Sequence, residues 1–128
     1  MAKLNIECVR DILLAVEDKP YKETYSISTL HERLPQYSHD ELEYCCYKLY
    51  EADLLELLTV DNAPYDGYAI KSVKELTFDG HTFIETIRPQ TVWDKTKHII
   101  SQAGIASLNI ISDVASNYAN ELLSNLIK

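Results

Sequence analysis

The 128-residue sequence predicts a mainly α-helical protein with a small β-wing, in which a winged helix-turn-helix is followed by C-terminal helices. Three observations predict this α+β class. Apolar residues recur at helical spacing, capping residues stand where helices would begin, and two short apolar runs flank a stretch rich in turn formers. Apolar residues make up 46% of the chain and charged residues 25%, which is ordinary for a globular domain.

The first two predicted helices are short and separated by a turn. Asn5 is the expected N-cap of the first helix, which ends at residues 18–20 because proline disfavours helical geometry in the residue before it. Residues 25–27 predict a short strand. Thr29 is then expected to begin the second helix, with Glu32 as its capping-box partner.

The third predicted helix has the clearer capping box. It is formed by Ser38 and Glu41, and the helix runs from there to about Ala52. Asp53 follows at a place where a left-handed residue often ends a helix, and aspartate tolerates that conformation at moderate cost.

Two strands follow the third helix. Residues 54–60 predict the first strand, residues 61–68 form a loop rich in turn formers, and residues 69–76 pair back as the second strand. A helix, a short strand, two helices and a hairpin, in this order, are typical of a winged helix-turn-helix.

The remaining chain is predicted to be helical. Thr77 is expected to cap a fourth helix that ends before Pro89, and Thr91 with Asp94 has the capping-box pattern of a fifth. From 105 to 126 the apolar face is wider than a lone surface helix needs. The sequence therefore predicts a winged-helix domain at residues 1–88 and a helical extension at residues 89–128.

The wide apolar face of the last helix needs a cover. A second copy of the chain would supply one, and packing against the protein's own winged domain is the alternative. We favour a homodimer. The predicted dimerisation residues are Leu108, Ile111, Ala115, Tyr118, Leu122 and Leu126.

Charge argues against DNA binding through the third helix. The net charge is −8, and the stretch SHDELEYCCYKLYE carries four carboxylates, three tyrosines and one lysine. DNA affinity comes largely from lysine and arginine, whereas tyrosine is enriched in protein interfaces. The outer face is therefore predicted to bind a protein, and a solvated acidic face is the alternative. The predicted partner-binding residues are Asp40, Glu43, Tyr44, Tyr47, Tyr50 and Glu51.

Basic residues elsewhere offer a weaker DNA site. Lys71 and Lys74 lie on the predicted wing and could contact nucleic acid, although carboxylates stand near them in the sequence. Scattered, solvated charges are the alternative interpretation.

Motifs for catalysis, metals and cofactors are not found. The four histidines show no paired spacing, and adjacent Cys45 and Cys46 point about 100° apart on a helix, so they are expected to be buried as small hydrophobic residues. Gly80 is expected to permit close packing, and His81 to be structural. No secretory segment or membrane span is found, so cytoplasmic localisation is expected.

The stretches LTFDGHTFIETIR and VWDKTK, together with Ile12 and Leu13 of the first helix, resemble the signature of a phage and prophage family of uncharacterised winged-helix proteins. The resemblance covers roughly residues 4 to 100, with Asp53 and Cys45–Cys46 departing from the family's usual glycine and histidine. It implies a winged-helix fold and a phage-encoded protein in the host cytoplasm, without catalytic residues. The residues that carry it are Ile12, Leu13, Leu76, Thr77, Gly80, His81, Phe83, Ile87, Arg88 and Trp93.

These observations predict a non-catalytic adaptor, regulator or inhibitor that binds a host or phage protein. The alternative is a transcriptional regulator that binds DNA through its wing or through a basic edge formed across a dimer.

Overall fold

The computed structural model describes residues 4–60, 69–104 and 107–127. In these residues the fold is mainly helical with one small antiparallel sheet, which confirms the α+β class. The elements in chain order are α1 (Ile6–Glu17), α2 (Ile27–Arg33), α3 (His39–Glu51), β1 (Leu55–Val60), β2 (Ala69–Leu76), α4 (Phe78–Ile87), α5 (Gln90–Ala103) and α6 (Leu108–Leu126). The chain divides into two compact units, Asn5–His81 and Thr82–Lys128 together with Met1–Leu4.

Side-chain caps define where α1 and α2 begin. Asn5 accepts hydrogen bonds from the backbone N–H groups of Glu7 and Cys8, at 3.1 and 3.2 Å, as predicted. The predicted start of α2 at Thr29 is wrong. Ser26 has extended backbone angles and accepts from the N–H of Thr29 at 3.1 Å, so the helix begins one residue after Ser26.

The predicted strand at residues 25–27 is reduced to one residue. Tyr25 forms an isolated antiparallel bridge with Val73 of β2, in which each backbone N–H donates to the carbonyl of the other, at 3.0 and 2.6 Å. Ser26 is then required as the cap of α2, so the extended segment ends there.

The start of α3 is connected to the cap of α1. Ser38 accepts from the N–H of Glu41 at 3.1 Å, which confirms the predicted N-cap. The Glu41 carboxylate accepts a 2.6 Å hydrogen bond from the Asn5 side chain. At the other end Asp53 adopts the predicted left-handed conformation, with φ of 62°.

The two strands form an antiparallel hairpin. Leu55 pairs with Leu76 and Leu58 with Ser72, and two register shifts interrupt the ladder. The bounds of β2 are those predicted; β1 begins one residue later than predicted. The predicted loop at residues 61–68 lies outside the described residues.

The apolar side chains of the first unit form a common core. α1 packs against α3 and β2, and α2 packs against α3. Fully burying a leucine or valine side chain contributes about 1.5–3 kcal/mol, so these residues dominate the stability of the unit. The buried apolar residues are Cys8, Val9, Ile12, Leu13, Val16, Tyr25, Leu30, Leu42, Cys45, Cys46, Leu49, Leu55, Val73 and Leu76.

The segment after α3 is held against the start of α4. The Thr77 hydroxyl donates to the carbonyl of Asp53 at 2.6 Å and accepts from the N–H of Gly80 at 2.9 Å. This confirms Thr77 as the predicted cap of the fourth helix. A Cβ atom on Gly80 would overlap the backbone carbonyl of Leu54, so the predicted close packing at this glycine is also confirmed.

The second unit contains α5 and α6, which pack against each other. The predicted cap at Thr91 is wrong: α5 begins at Gln90, and its N-cap residue is Pro89, which has no side-chain oxygen that could accept from a backbone N–H. The Asp94 carboxylate instead accepts from the Gln90 side chain at 2.8 Å. Ser107 caps α6 by accepting from the N–H of Ile110 at 3.2 Å. The predicted start at 105 falls outside the described residues.

Candidate docking surface

The packing of α3 determines which of its side chains face outward. Leu42, Cys45, Cys46 and Leu49 recur with the i, i+3, i+4, i+7 spacing of one helical face, and all four are at most 1% exposed. The opposite side carries the six residues predicted to bind a partner. We call them the α3 face: Asp40, Glu43, Tyr44, Tyr47, Tyr50 and Glu51.

The α3 face is accessible to different degrees along its length. Asp40 and Glu51 are exposed, and Glu43 is half-buried. Tyr50 is 38% exposed, whereas Tyr44 and Tyr47 are half-buried. All three tyrosines also interact within the chain. The rings are therefore partly ordered before any partner binds, which lowers the entropic cost of using them in an interface.

The single cation of α3 is engaged on the same helix. The Lys48 ammonium lies 2.9 Å from the Glu51 carboxylate and 5.4 Å from the centre of the Tyr44 ring. The hydrogen bond to Glu51 raises the pKa of Lys48. Asp40 and Glu43 add negative charge to the surface, so the α3 face is both aromatic and acidic.

The three thiols do not contribute reactive groups to this surface. Cys8, Cys45 and Cys46 are free thiols and are buried, as expected for small hydrophobic residues. The hydrogen bond to Cys45, together with burial, raises the pKa of Cys8, and burial raises the pKa of Cys46. The same hydrogen bond lowers the pKa of Cys45, but this thiol is only 1% exposed and does not reach the α3 surface. A raised pKa leaves the thiol protonated at neutral pH, and a protonated thiol is a poor nucleophile and metal ligand.

The lysines of the hairpin lie on β2. Lys71 and Lys74 are both exposed. Their neighbour Glu75 accepts from the buried ammonium of Lys19 at 2.5 Å, which neutralises one carboxylate beside them. Both residues predicted to contact nucleic acid therefore lie at the surface of the hairpin.

The predicted dimerisation residues fall into two groups. Ile111 and Ala115 are at most 1% exposed, and Leu108 and Tyr118 are half-buried, so the first half of α6 is largely covered within the chain. Leu122 and Leu126 are 37% and 71% exposed. Two further apolar residues at this end, Leu123 and Ile127, are 56% and 84% exposed.

Two features of the first unit are not evident from the sequence. His31, in the last turn of α2, and His39, the first residue of α3, have ring centres 4.4 Å apart. A groove of about 480 Å³ also opens on the first unit, and it is lined by carboxylates, one guanidinium and three apolar side chains. Its lining residues are Asp11, Leu14, Ala15, Glu17, Asp18, Arg33 and Leu34.

Neither feature has a signal in the linear pattern, because each depends on how α1, α2 and α3 pack. The spacing of His31 and His39 is not a metal-ligand spacing on one helix. Among the described residues, no group of three or more histidine, cysteine, aspartate or glutamate side chains could hold a metal ion. In that part of the chain no helix combines the length and the apolar composition that crossing a bilayer requires.

The fold and this surface define a small helical protein with a two-stranded hairpin and an acidic, aromatic helix face. A family model described as "Hypothetical protein (DUF2513)" matches residues 3–106, and the chain belongs to this uncharacterised family. Neither the curated proteins nor the solved structures contain a significant match to the sequence.

Proposed function

We propose that this protein is a non-catalytic adaptor, regulator or inhibitor that acts by binding another protein through the α3 face. The observation that carries the proposal is the surface of α3, where exposed Tyr50 and half-buried Tyr44 and Tyr47 stand among carboxylates. The hydroxyl group of Tyr47 is buried, and Lys48 forms an ion pair with Glu51. Tyrosine supplies a large contact area together with a polar group, and it is over-represented among residues that dominate binding energy.

The architecture we propose is a winged helix-turn-helix of phage or prophage origin, acting in the host cell cytoplasm. Helix order, the hairpin and the Tyr25–Val73 bridge support it, since together they give three short extended segments beside three helices. In DNA-binding proteins of this type the third helix enters the major groove. Carboxylates there would repel phosphate, so a protein partner fits α3 better than DNA does.

We further propose that the protein is a homodimer and that the last two turns of α6 contribute the interface. Leu122, Leu123 and Leu126 form an exposed apolar end of the helix, next to Ile127. A twofold arrangement would bring this end of one copy against the same end of the other. Ile111 and Ala115 are already buried within the chain and would fix α6 in its own protomer.

The test uses single variants of the α3 face with a matched tyrosine elsewhere. Tagged wild-type protein is incubated with host lysate and the captured proteins are identified by mass spectrometry. A true partner is retained by wild type and by Tyr21→Ala, whose ring is 80% exposed and lies outside the α3 face. The same partner is lost with Tyr47→Ala and with Tyr50→Ala.

The result depends on the variants being folded. Circular dichroism and thermal unfolding must show that Tyr47→Ala and Tyr50→Ala keep the wild-type helix content. A partner that binds all variants equally contradicts the proposal, and so does a loss of binding that accompanies unfolding.

DNA binding through the hairpin is the second candidate, and the exposure of Lys71 and Lys74 on β2 favours it. An electrophoretic mobility shift with random-sequence duplex DNA, at low and physiological salt, tests it. If the hairpin binds DNA, the protein–DNA complex should weaken steeply with salt, and Lys71→Glu combined with Lys74→Glu should abolish it. The control is Lys22→Glu with Lys95→Glu, which changes the net charge equally at other sites.

A further inference from the structure

The His31–His39 pair is held in place by the folded backbone. His31 lies in the last turn of α2, and His39 follows the Ser38 cap that starts α3. The two helices pack against each other, and the planes of the two rings are tilted by 43°. His31 is half-buried and His39 is exposed, so one side of the pair faces solvent.

The separation of the rings suits a shared metal ion. Zn–N bonds of about 2.0–2.1 Å place each ring centre roughly 3.2 Å from the ion. If the angle between the two bonds at the metal is about 90°, the two ring centres are roughly 4.5 Å apart. The observed separation of 4.4 Å is close to this value. Tetrahedral binding requires a separation of roughly 5.2 Å, so the exposed His39 side chain would have to turn away from His31.

The charged residues near the pair in the sequence are mostly negative. Glu32 adjoins His31, and Asp40 and Glu41 follow His39 in the first turn of α3, although the Glu41 carboxylate is bound by Asn5 and Arg33 adds a positive charge in the last turn of α2. The positive end of the α3 dipole would by itself oppose a cation at His39, and the two carboxylates of that turn offset it. The net charge of −8 raises the local concentration of cations further.

We propose that His31 and His39 form a two-histidine site for a divalent transition-metal ion of the zinc, nickel and copper class. Imidazole nitrogen is a common ligand for these ions, and neutral histidines are required. The remaining coordination positions are taken by water, because no third ligand group lies with the pair among the described residues. The bound ion ties the end of α2 to the start of α3.

The site is independent of the proposed docking function. It needs only the folded chain, whereas docking needs a partner and the tyrosines of the α3 face. Variants at His31 and His39 test the metal site, and variants at Tyr47 and Tyr50 test docking. Either can fail while the other stands.

The experiment is a titration of the full chain with Zn²⁺ and separately with Ni²⁺ at pH 7.5, followed by calorimetry and by thermal unfolding. We expect one ion per chain and a rise in Tm of about 10 °C at an ion concentration near 100 times Kd. His31→Gln and His39→Gln should each weaken binding at least tenfold.

Matched controls are His81→Gln and His98→Gln, because both of these histidines are exposed and lie outside the pair. They should bind the ion as tightly as wild type. NMR adds a direct readout: the ring protons of His31 and His39 should shift together on adding Zn²⁺, and those of His81 should not. Calorimetry that detects no binding, or binding that survives His31→Gln, overturns the proposal. An equal loss with His81→Gln overturns it too.

Discussion

α3 and α6 are both amphipathic helices that begin at a serine cap, but they differ in how much of the apolar face is covered. In α3 the apolar residues Leu42, Cys45, Cys46 and Leu49 are at most 1% exposed. In α6 only the first half is covered, and Leu126 near its end is 71% exposed. Helical periodicity is similar in the two sequences, so periodicity identifies an apolar face without showing whether the chain itself covers it.

This difference has consequences for function. Because α3 is packed along its whole apolar side, its outer side is free to carry polar and aromatic groups for recognition. α6 instead ends in apolar surface, and such surface is usually buried by association. The comparison fits the proposals that α3 recognises another protein and that α6 self-associates, and each proposal can be tested by mutation.

The largest expected effect comes from truncating the buried face of α3. Leu49→Ala should lower the free energy of unfolding by about 2–5 kcal/mol, because the buried leucine leaves a cavity. Leu126→Ala on α6 is the matched control and should change the free energy of unfolding of the monomer by less than about 0.5 kcal/mol. Urea denaturation followed by circular dichroism, at a protein concentration low enough for the chain to be monomeric, measures both. Similar losses in the two variants at that concentration would show that the chain itself covers the end of α6.

Two glycines, Gly80 in α4 and Gly104 between α5 and α6, should differ in how much stability is lost when each is replaced by alanine. Gly80→Ala should destabilise the protein by about 3 kcal/mol, because the added methyl group meets the Leu54 carbonyl of the segment after α3 and the backbone must move. Gly104, before α6, has nothing within 4 Å of an added Cβ but has φ of 71°.

Gly104→Ala should therefore cost only about 1 kcal/mol, from left-handed strain alone. Thermal unfolding of both variants measures the difference. A Gly104→Ala variant that is destabilised more than Gly80→Ala would contradict the close approach at Gly80.

A smaller loss of stability is expected for a substitution at Tyr37, just before α3. The Tyr37 hydroxyl donates to the Asp11 carboxylate of α1 at 2.6 Å, and Tyr37→Phe should cost about 1 kcal/mol at pH 7. Burial, followed by this hydrogen bond, raises the pKa of Tyr37 above its ordinary value. The folded protein then holds this proton more tightly than the unfolded chain does.

The stabilisation by Tyr37 is thus complete below about pH 10, the ordinary tyrosine pKa, and is lost as pH rises above it. Urea denaturation between pH 8 and pH 11 should show a steeper loss of stability for wild type than for Tyr37→Phe. Parallel curves would mean that Tyr37 titrates alike in the folded and unfolded chains.

The smallest effect on folding, but a large effect on association, is expected at the end of α6. Leu122→Ser combined with Leu126→Ser should change the free energy of unfolding of the monomer by less than about 0.5 kcal/mol, since both side chains are exposed. Light scattering should show a dimer for wild type and a monomer for the double variant. A wild-type monomer at high concentration would contradict the proposed homodimer.

Local signals were predicted well from the sequence. The caps at Asn5 and Ser38, the left-handed Asp53 and the bounds of β2 agree with the structure, because each depends on a few neighbouring residues. The wrong caps have an equally local cause. At Thr29 and Thr91 a serine or a proline upstream starts the helix first, and two overlapping start signals cannot be ranked without knowing the backbone conformation.

By itself, the sequence determined the helical and extended segments, the buried side of α3 and the acidic, aromatic character of its outer side. These properties follow from residue spacing along a helix, which is a local property. Only the tertiary structure decided that Ile111 and Ala115 are covered while Leu126 is not, and that His31 meets His39. Both depend on how separate helices pack, and contacts between helices leave no periodic trace in a single sequence.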